Sequence, residues 1–90
     1  MKIMKPQNGC AWITGASSGI GAALAVELAN RGWHVAISAR READLQAVAT
    51  QHENIHGFVC DVIDRPAMAR VASDIVSKLG PIALGVMNAG

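Results

Sequence analysis

The segment Thr14-Gly15-Ala16-Ser17-Ser18-Gly19-Ile20-Gly21 constrains this chain more than any other. It separates two patterns of different period. Before it, Cys10-Ala11-Trp12-Ile13-Thr14 is a short apolar run of strand character, set off by a turn at Asn8-Gly9. After it, Ile20, Leu24 and Leu28, with Ala23 and Ala25, recur at helical spacing up to Asn30-Arg31-Gly32, where Gly32 supplies a stop. A strand that passes at once into a helix needs a backbone able to turn tightly, and glycine provides it.

The rest of the chain repeats the alternation. Trp33 to Ser38 reads as a second strand, and Arg41 to about His52 as a second helix burying Leu45 and Val48. Ile55 to Cys60 is a third strand. Asp64 is a good N-cap with Pro66 in the first turn of a third helix, which runs to about Leu79 on a stripe of Met68, Val71, Ala72 and Ile75. Gly80-Pro81 ends it, and Ile82 to Met87 is a fourth strand before Asn88-Ala89-Gly90.

Near-continuous apolar strands alternating with helices imply an α/β architecture with a parallel sheet covered on both faces. Right-handed crossovers place the first two helices on one face and the third on the other, giving strand order 3-2-1-4. The expectation is a doubly wound sheet, incomplete as written, with three helices, one thinly covered face and strand four as an open edge able to pair with another chain.

A glycine-rich turn opening a helix has a specific chemistry. The turn lets a phosphate approach the main chain, and the helix N-terminus offers free N–H groups and a partial positive charge. Gly15, Gly19 and Gly21 shape the turn, Ser17 and Ser18 add hydroxyl donors, and Gly21 permits close helix–strand packing. The spacing G-x-x-x-G-x-G differs from G-x-G-x-x-G and lacks the Gly-Lys-Ser/Thr of a P-loop. The whole octapeptide resembles, residue for residue, the cofactor loop of the short-chain dehydrogenase/reductase family. The resemblance spans essentially all of the chain and implies a Rossmann-type domain over 1–90 that binds a nicotinamide dinucleotide through Gly15, Ser17, Ser18, Gly19, Ile20 and Gly21.

The end of strand two points to the form of that cofactor. Where NAD-preferring members offer an acid to the adenosine ribose, the chain reads Ser38-Ala39-Arg40-Arg41. By resemblance, Ala39 takes the acid's place. Arg40 follows it and suits a 2′-phosphate through charge-assisted bonds, so NADP(H) is preferred and NAD(H) possible. Arg41 is the second candidate, although it could instead solvate the next helix. The resemblance also carries Asp61 and Val62 to the border of the adenine, and Asn88, Ala89 and Gly90 to the adenosine side of the cofactor. The family's first Asn in that last motif is Met87 here. Asp61 could equally serve the turn before Asp64.

Other chemistries find less support. His52-Glu53-Asn54-Ile55-His56 spells a zinc-protease pattern, but that chemistry needs both histidines on one helix face. Asn54 breaks the helix and His56 belongs to a strand, so no metal is expected. Cys10 and Cys60 sit in apolar runs without paired spacing and read as reduced core thiols. A net charge of +1 and aromatics limited to Trp12, Trp33 and Phe58 give no nucleic-acid surface. There is no signal peptide and no apolar run of membrane length, so a cytoplasmic protein is expected.

The family's acid–base pair, a tyrosine with a lysine four residues on, cannot lie within this chain, which contains no tyrosine. The expectation is therefore the cofactor-binding, N-terminal part of an NADP(H)-dependent oxidoreductase acting on a carbonyl or alcohol, without catalytic residues of its own and inactive alone. The alternatives are a non-catalytic dinucleotide-binding or sensing module, and an assembly piece recruiting a partner through strand four. Association into a homo-oligomer is expected from the family.

Overall fold

A computed structural model describes residues 5–16 and 19–87. The apolar runs form four strands, β1 Cys10–Thr14, β2 Val35–Ala39, β3 Ile55–Val59 and β4 Ile82–Met87. All three pairings are parallel, and the order is β3-β2-β1-β4. The helices are α1 Gly19–Asn30, α2 Glu42–Ala49 and α3 Arg65–Leu79, with a 3-10 turn, Pro6–Asn8, ahead of β1. The architecture is the doubly wound α/β sheet that the alternation implies. No described helix is long and apolar enough to cross a membrane.

Strand parity sorts the core into two layers. Ala11, Ile13, Val35, Ile37 and Ile55 pack with Ala25 and Ala29 of α1 and with Leu45 and Val48 of α2. Cys10 and Ala36 point the other way, where Val71 and Ile75 of α3 meet them beside half-buried Trp12 and Phe58. Each fully buried Ile or Val stabilises the fold by about 1.5–3 kcal/mol relative to exposure. The register of β1 with β4 shifts between Cys10 and Ala11, and β4 has β1 as its sole neighbour in the sheet.

Several boundaries differ from the sequence pattern for local reasons. The buried face of α1 is the small-residue row Gly21, Ala25 and Ala29. Leu24 and Leu28 are half-buried and Ile20 is 84% exposed, so the stripe lies one residue round from the bulky side chains. Small residues win there because they let the helix axis approach the sheet.

Trp33 belongs to the end of α1 rather than to β2. Its N–H bonds to the Leu28 carbonyl at 3.0 Å and that of Gly32 to Ala29 at 3.0 Å, the paired bonds of a Schellman cap. Buried Trp33 is the apolar contact of that cap.

Helix α2 ends at Ala49, short of His52. The Thr50 hydroxyl donates back to Ala47 at 3.1 Å, and the Asn54 N–H donates to His52 Nδ1 at 3.0 Å, so side chains take over from the helical ladder. Strand β3 ends at Val59, and the Cys60 N–H makes its last rung to the Ala39 carbonyl at 2.9 Å. The Asp64 cap is present, its Oδ1 accepting from the Ala67 N–H at 3.0 Å. In α3, Val71 and Ile75 are buried, whereas Met68 and Ala72 are half-buried.

Candidate functional site

The carboxyl ends of β1, β2 and β3 meet at the end of β2, and consecutive carbonyls there hold two neighbouring loops. The Ser38 carbonyl accepts the Gly15 N–H at 2.8 Å and, more weakly, the Ala16 N–H at 3.4 Å. One residue on, the Ala39 carbonyl faces the opposite side of the strand and accepts the Cys60 N–H at 2.9 Å. The turn after β1, the Arg40-Arg41 pair and the Asp61-Val62 segment thus all depart from one short stretch of backbone.

The turn leaves main chain exposed on one side. Gly15 and Gly19 have φ of +66° and +62°, a region that side chains disfavour. A Cβ built on Gly19 would meet no described residue within 4 Å, so the space beside the main chain is open on that side. Ile20 stands exposed at the same place, and the first turn of α1 carries no acidic residue to offset its positive end. Gly21 is buried against the sheet. An anion fits this geometry, and the open cradle at Gly19 suits a pyrophosphate in particular.

Arg40 and Arg41 follow β2 and are exposed, Arg41 holding the N-cap position of α2 without a side-chain cap bond. Among the described residues the ion pair is that of Arg31 with Glu27, at 2.8 Å, and no carboxylate engages either of the two arginines. Asp61 serves a turn: its Oδ1 accepts the Ile63 N–H at 3.1 Å and its carbonyl the Asp64 N–H at 3.0 Å. That turn presents Val62 and Ile63 to solvent, 46% and 84% exposed. Ser17, Ser18, Asn88, Ala89 and Gly90 lie outside the described residues. Met87, the departure from the family motif, is exposed, and the Thr14 hydroxyl lies 3.7 Å from its sulfur.

Two groups that the pattern left aside join this site. The Trp12 indole N–H donates to Ser38 Oγ at 3.0 Å, and Ser38 is 1% exposed. Strand parity alone places Trp12 and Ser38 on the α3 side, but nothing local announces the bond. Burial pushes the thiols of Cys10 and Cys60 up, helped at Cys60 by the Asp64 and Asp61 carboxylates, so both are packing groups and poor nucleophiles. His52 lies beyond α2 and His56 within β3, which separates the two histidines of the zinc-like pattern. Among the described residues no group of three or more His, Cys, Asp or Glu could hold a metal.

The family model for short chain dehydrogenase matches residues 9–90. The chain belongs to the short-chain dehydrogenase family. An uncharacterized oxidoreductase of Mycobacterium tuberculosis is 38% identical to this chain over 85 residues, covering 87% of it and 25% of the relative. An actinorhodin polyketide ketoreductase variant solved with NADPH superposes with a TM-score of 0.85 at 32% identity, over 97% of this chain and 35% of that one. A metagenomic short-chain oxidoreductase in complex with NADP gives 0.81 at 32% identity, over 90% and 39%. The chain therefore spans between a quarter and two fifths of the length of these proteins.

Proposed function

We propose that this dehydrogenase chain holds the adenosine and pyrophosphate of NADP(H) for an oxidoreductase acting on a carbonyl or alcohol. The observation that carries the reading is Arg40: an exposed guanidinium at the end of β2, free of carboxylate partners, where Ala39 stands in place of an acid. A 2′-phosphate there meets a donor fork and no repulsion. The main chain from Gly15 to Gly21 and the N-terminus of α1 take the pyrophosphate, with Ser17 and Ser18 as further donors. Asp61 and Val62 border the adenine, Arg41 adds positive charge, and Asn88, Ala89 and Gly90 brace the adenosine side. The bound nicotinamide supplies or takes up the hydride.

Proton transfer at the substrate oxygen requires a positioned acid–base group. With no tyrosine among the ninety residues, that group comes from elsewhere, and these residues alone turn over no substrate. The reading is supported by the NADPH and NADP present in two structural neighbours. Calorimetric titration with NADPH and NADH tests it. One or two charge-assisted bonds to the 2′-phosphate correspond to about ten- to hundredfold tighter binding of NADPH. Equal affinities overturn the preference, and no affinity for either overturns the site.

A further inference from the structure

We propose that Trp12 is a positioning residue of this site, setting the place of the glycine turn through Ser38; the inference rests on the dinucleotide reading above. Trp12 lies in the middle of β1 with its ring half-buried on the α3 side, packed beside Cys10, Ala36, Val71 and Ile75. Its N–H reaches across to Ser38 Oγ at 3.0 Å. Ser38 is the residue whose carbonyl bonds Gly15 and Ala16, and the next carbonyl bonds Cys60. Arg40 follows immediately. A single indole N–H therefore pins a residue whose carbonyl holds the turn after β1 and that borders the start of the β3 exit loop.

The physical logic is that of an anchored hub. Ser38 is the penultimate residue of β2, where the ladder gives out and backbone freedom would otherwise rise. Its side chain is almost wholly buried, so the hydroxyl cannot trade the indole for water without cost. The bond leaves the ligand untouched and acts on the backbone that holds the ligand's donors. A turn held at its first amide presents its N–H groups in one arrangement, and an unpinned turn must be ordered when the anion arrives.

Trp12→Phe keeps an aromatic ring, smaller than the indole, and deletes the donor; Ser38→Ala deletes the acceptor and leaves the Trp12 ring in place. Amide exchange is followed by NMR at Gly15 and Cys60, with Val35 as the control, since the Val35 N–H bonds Asn54 at the far end of the same strand. Each single variant is expected to speed exchange at Gly15 and Cys60 by about three- to tenfold while Val35 stays unchanged, a local opening confined to one end of β2. NADPH affinity is expected to fall by about the same factor, and the double variant to fall no further than either single one.

Uniform acceleration at all three amides, or none at Gly15, overturns the positioning role and reduces Trp12 to packing. Faster Gly15 exchange with unchanged NADPH affinity also overturns it. Failure of the unaltered protein to bind NADPH or NADH is a different result: it removes the dinucleotide reading, while the exchange data still decide whether Trp12 sets the turn.

Discussion

Gly9 lies against the peptide of Pro81 so closely that the Pro81 carbonyl oxygen occupies the place of a side chain on Gly9. A Cβ built there would also come within 3.1 Å of the Pro81 carbonyl carbon and 3.2 Å of the Ala83 Cβ. This is where the chain before β1 crosses the start of β4, and the next residue, Cys10, bonds the same Pro81 carbonyl at 2.8 Å.

Gly9→Ala should therefore destabilise the fold, because the Pro81 backbone and the Ala83 Cβ leave no room to give. The expected loss is about 1–3 kcal/mol, the usual cost of overpacking, read as a lower urea midpoint at an unchanged slope.

Gly19→Ala should behave in the opposite sense. No described residue lies within 4 Å of a Cβ there, so the cost is that of the φ of +62°, about 1–2 kcal/mol. Its larger effect should fall on NADPH affinity, since the added methyl stands in the open cradle. Parallel measurement of the urea midpoint and the NADPH dissociation constant separates the two effects.

Arg40→Ala should weaken NADPH about ten- to hundredfold and leave NADH unchanged within about twofold, because the proposed partner of the guanidinium is the 2′-phosphate that NADH lacks. Arg41→Ala should cost less, as its position caps α2 without a side-chain bond. Titration of both variants with both dinucleotides checks the assignment.

Stability should fall as the solution is acidified below about pH 6.5, and His56 is the reason. Its Nε2 is buried without a hydrogen-bond partner among the described residues, and its pKa is held below the ordinary 6.5 by burial, by Lys78 and by His34, whose ring lies 6.0 Å away. Between the unfolded and the folded pKa, the unfolded chain takes up a proton that the native state refuses, so acid favours unfolding. His56→Gln should flatten the dependence of the urea midpoint between about pH 7 and pH 5; an unaltered slope would assign it to other groups.

The alternation of elements, the strand order and the glycine turn were legible because each has a local signature. The octapeptide declares its turn, Asp64 and Pro66 declare the start of α3, and short apolar strands demand parallel neighbours. The buried face of α1 was not legible. Bulk pointed to Ile20 and Leu24, whereas close packing selected Gly21, Ala25 and Ala29, and only the distance between helix and sheet decides that contest. Trp33 read as strand because an apolar residue that closes a helix cap looks the same as one that opens a strand. Within the site, Arg40 was visible by position, but its freedom from carboxylates depended on where every acid came to rest. The bond from Trp12 to Ser38 spans 26 residues and has no pattern to betray it.

The central place of β1 has a consequence for biosynthesis. Its first partner, β2, follows a single helix, but its second, β4, meets it through contacts as far as 73 residues apart, such as Thr14 with Met87. A nascent chain emerging from the ribosome can zip β1, β2 and β3 together while the other margin of β1 waits. During that interval the amides of Cys10 and Trp12, which face the side that β4 later covers, are open to the wrong strand, from the same chain or a neighbouring polysome. Yield at elevated temperature should therefore depend on how quickly the ribosome delivers Ile82 to Met87 and on chaperones that guard the waiting margin.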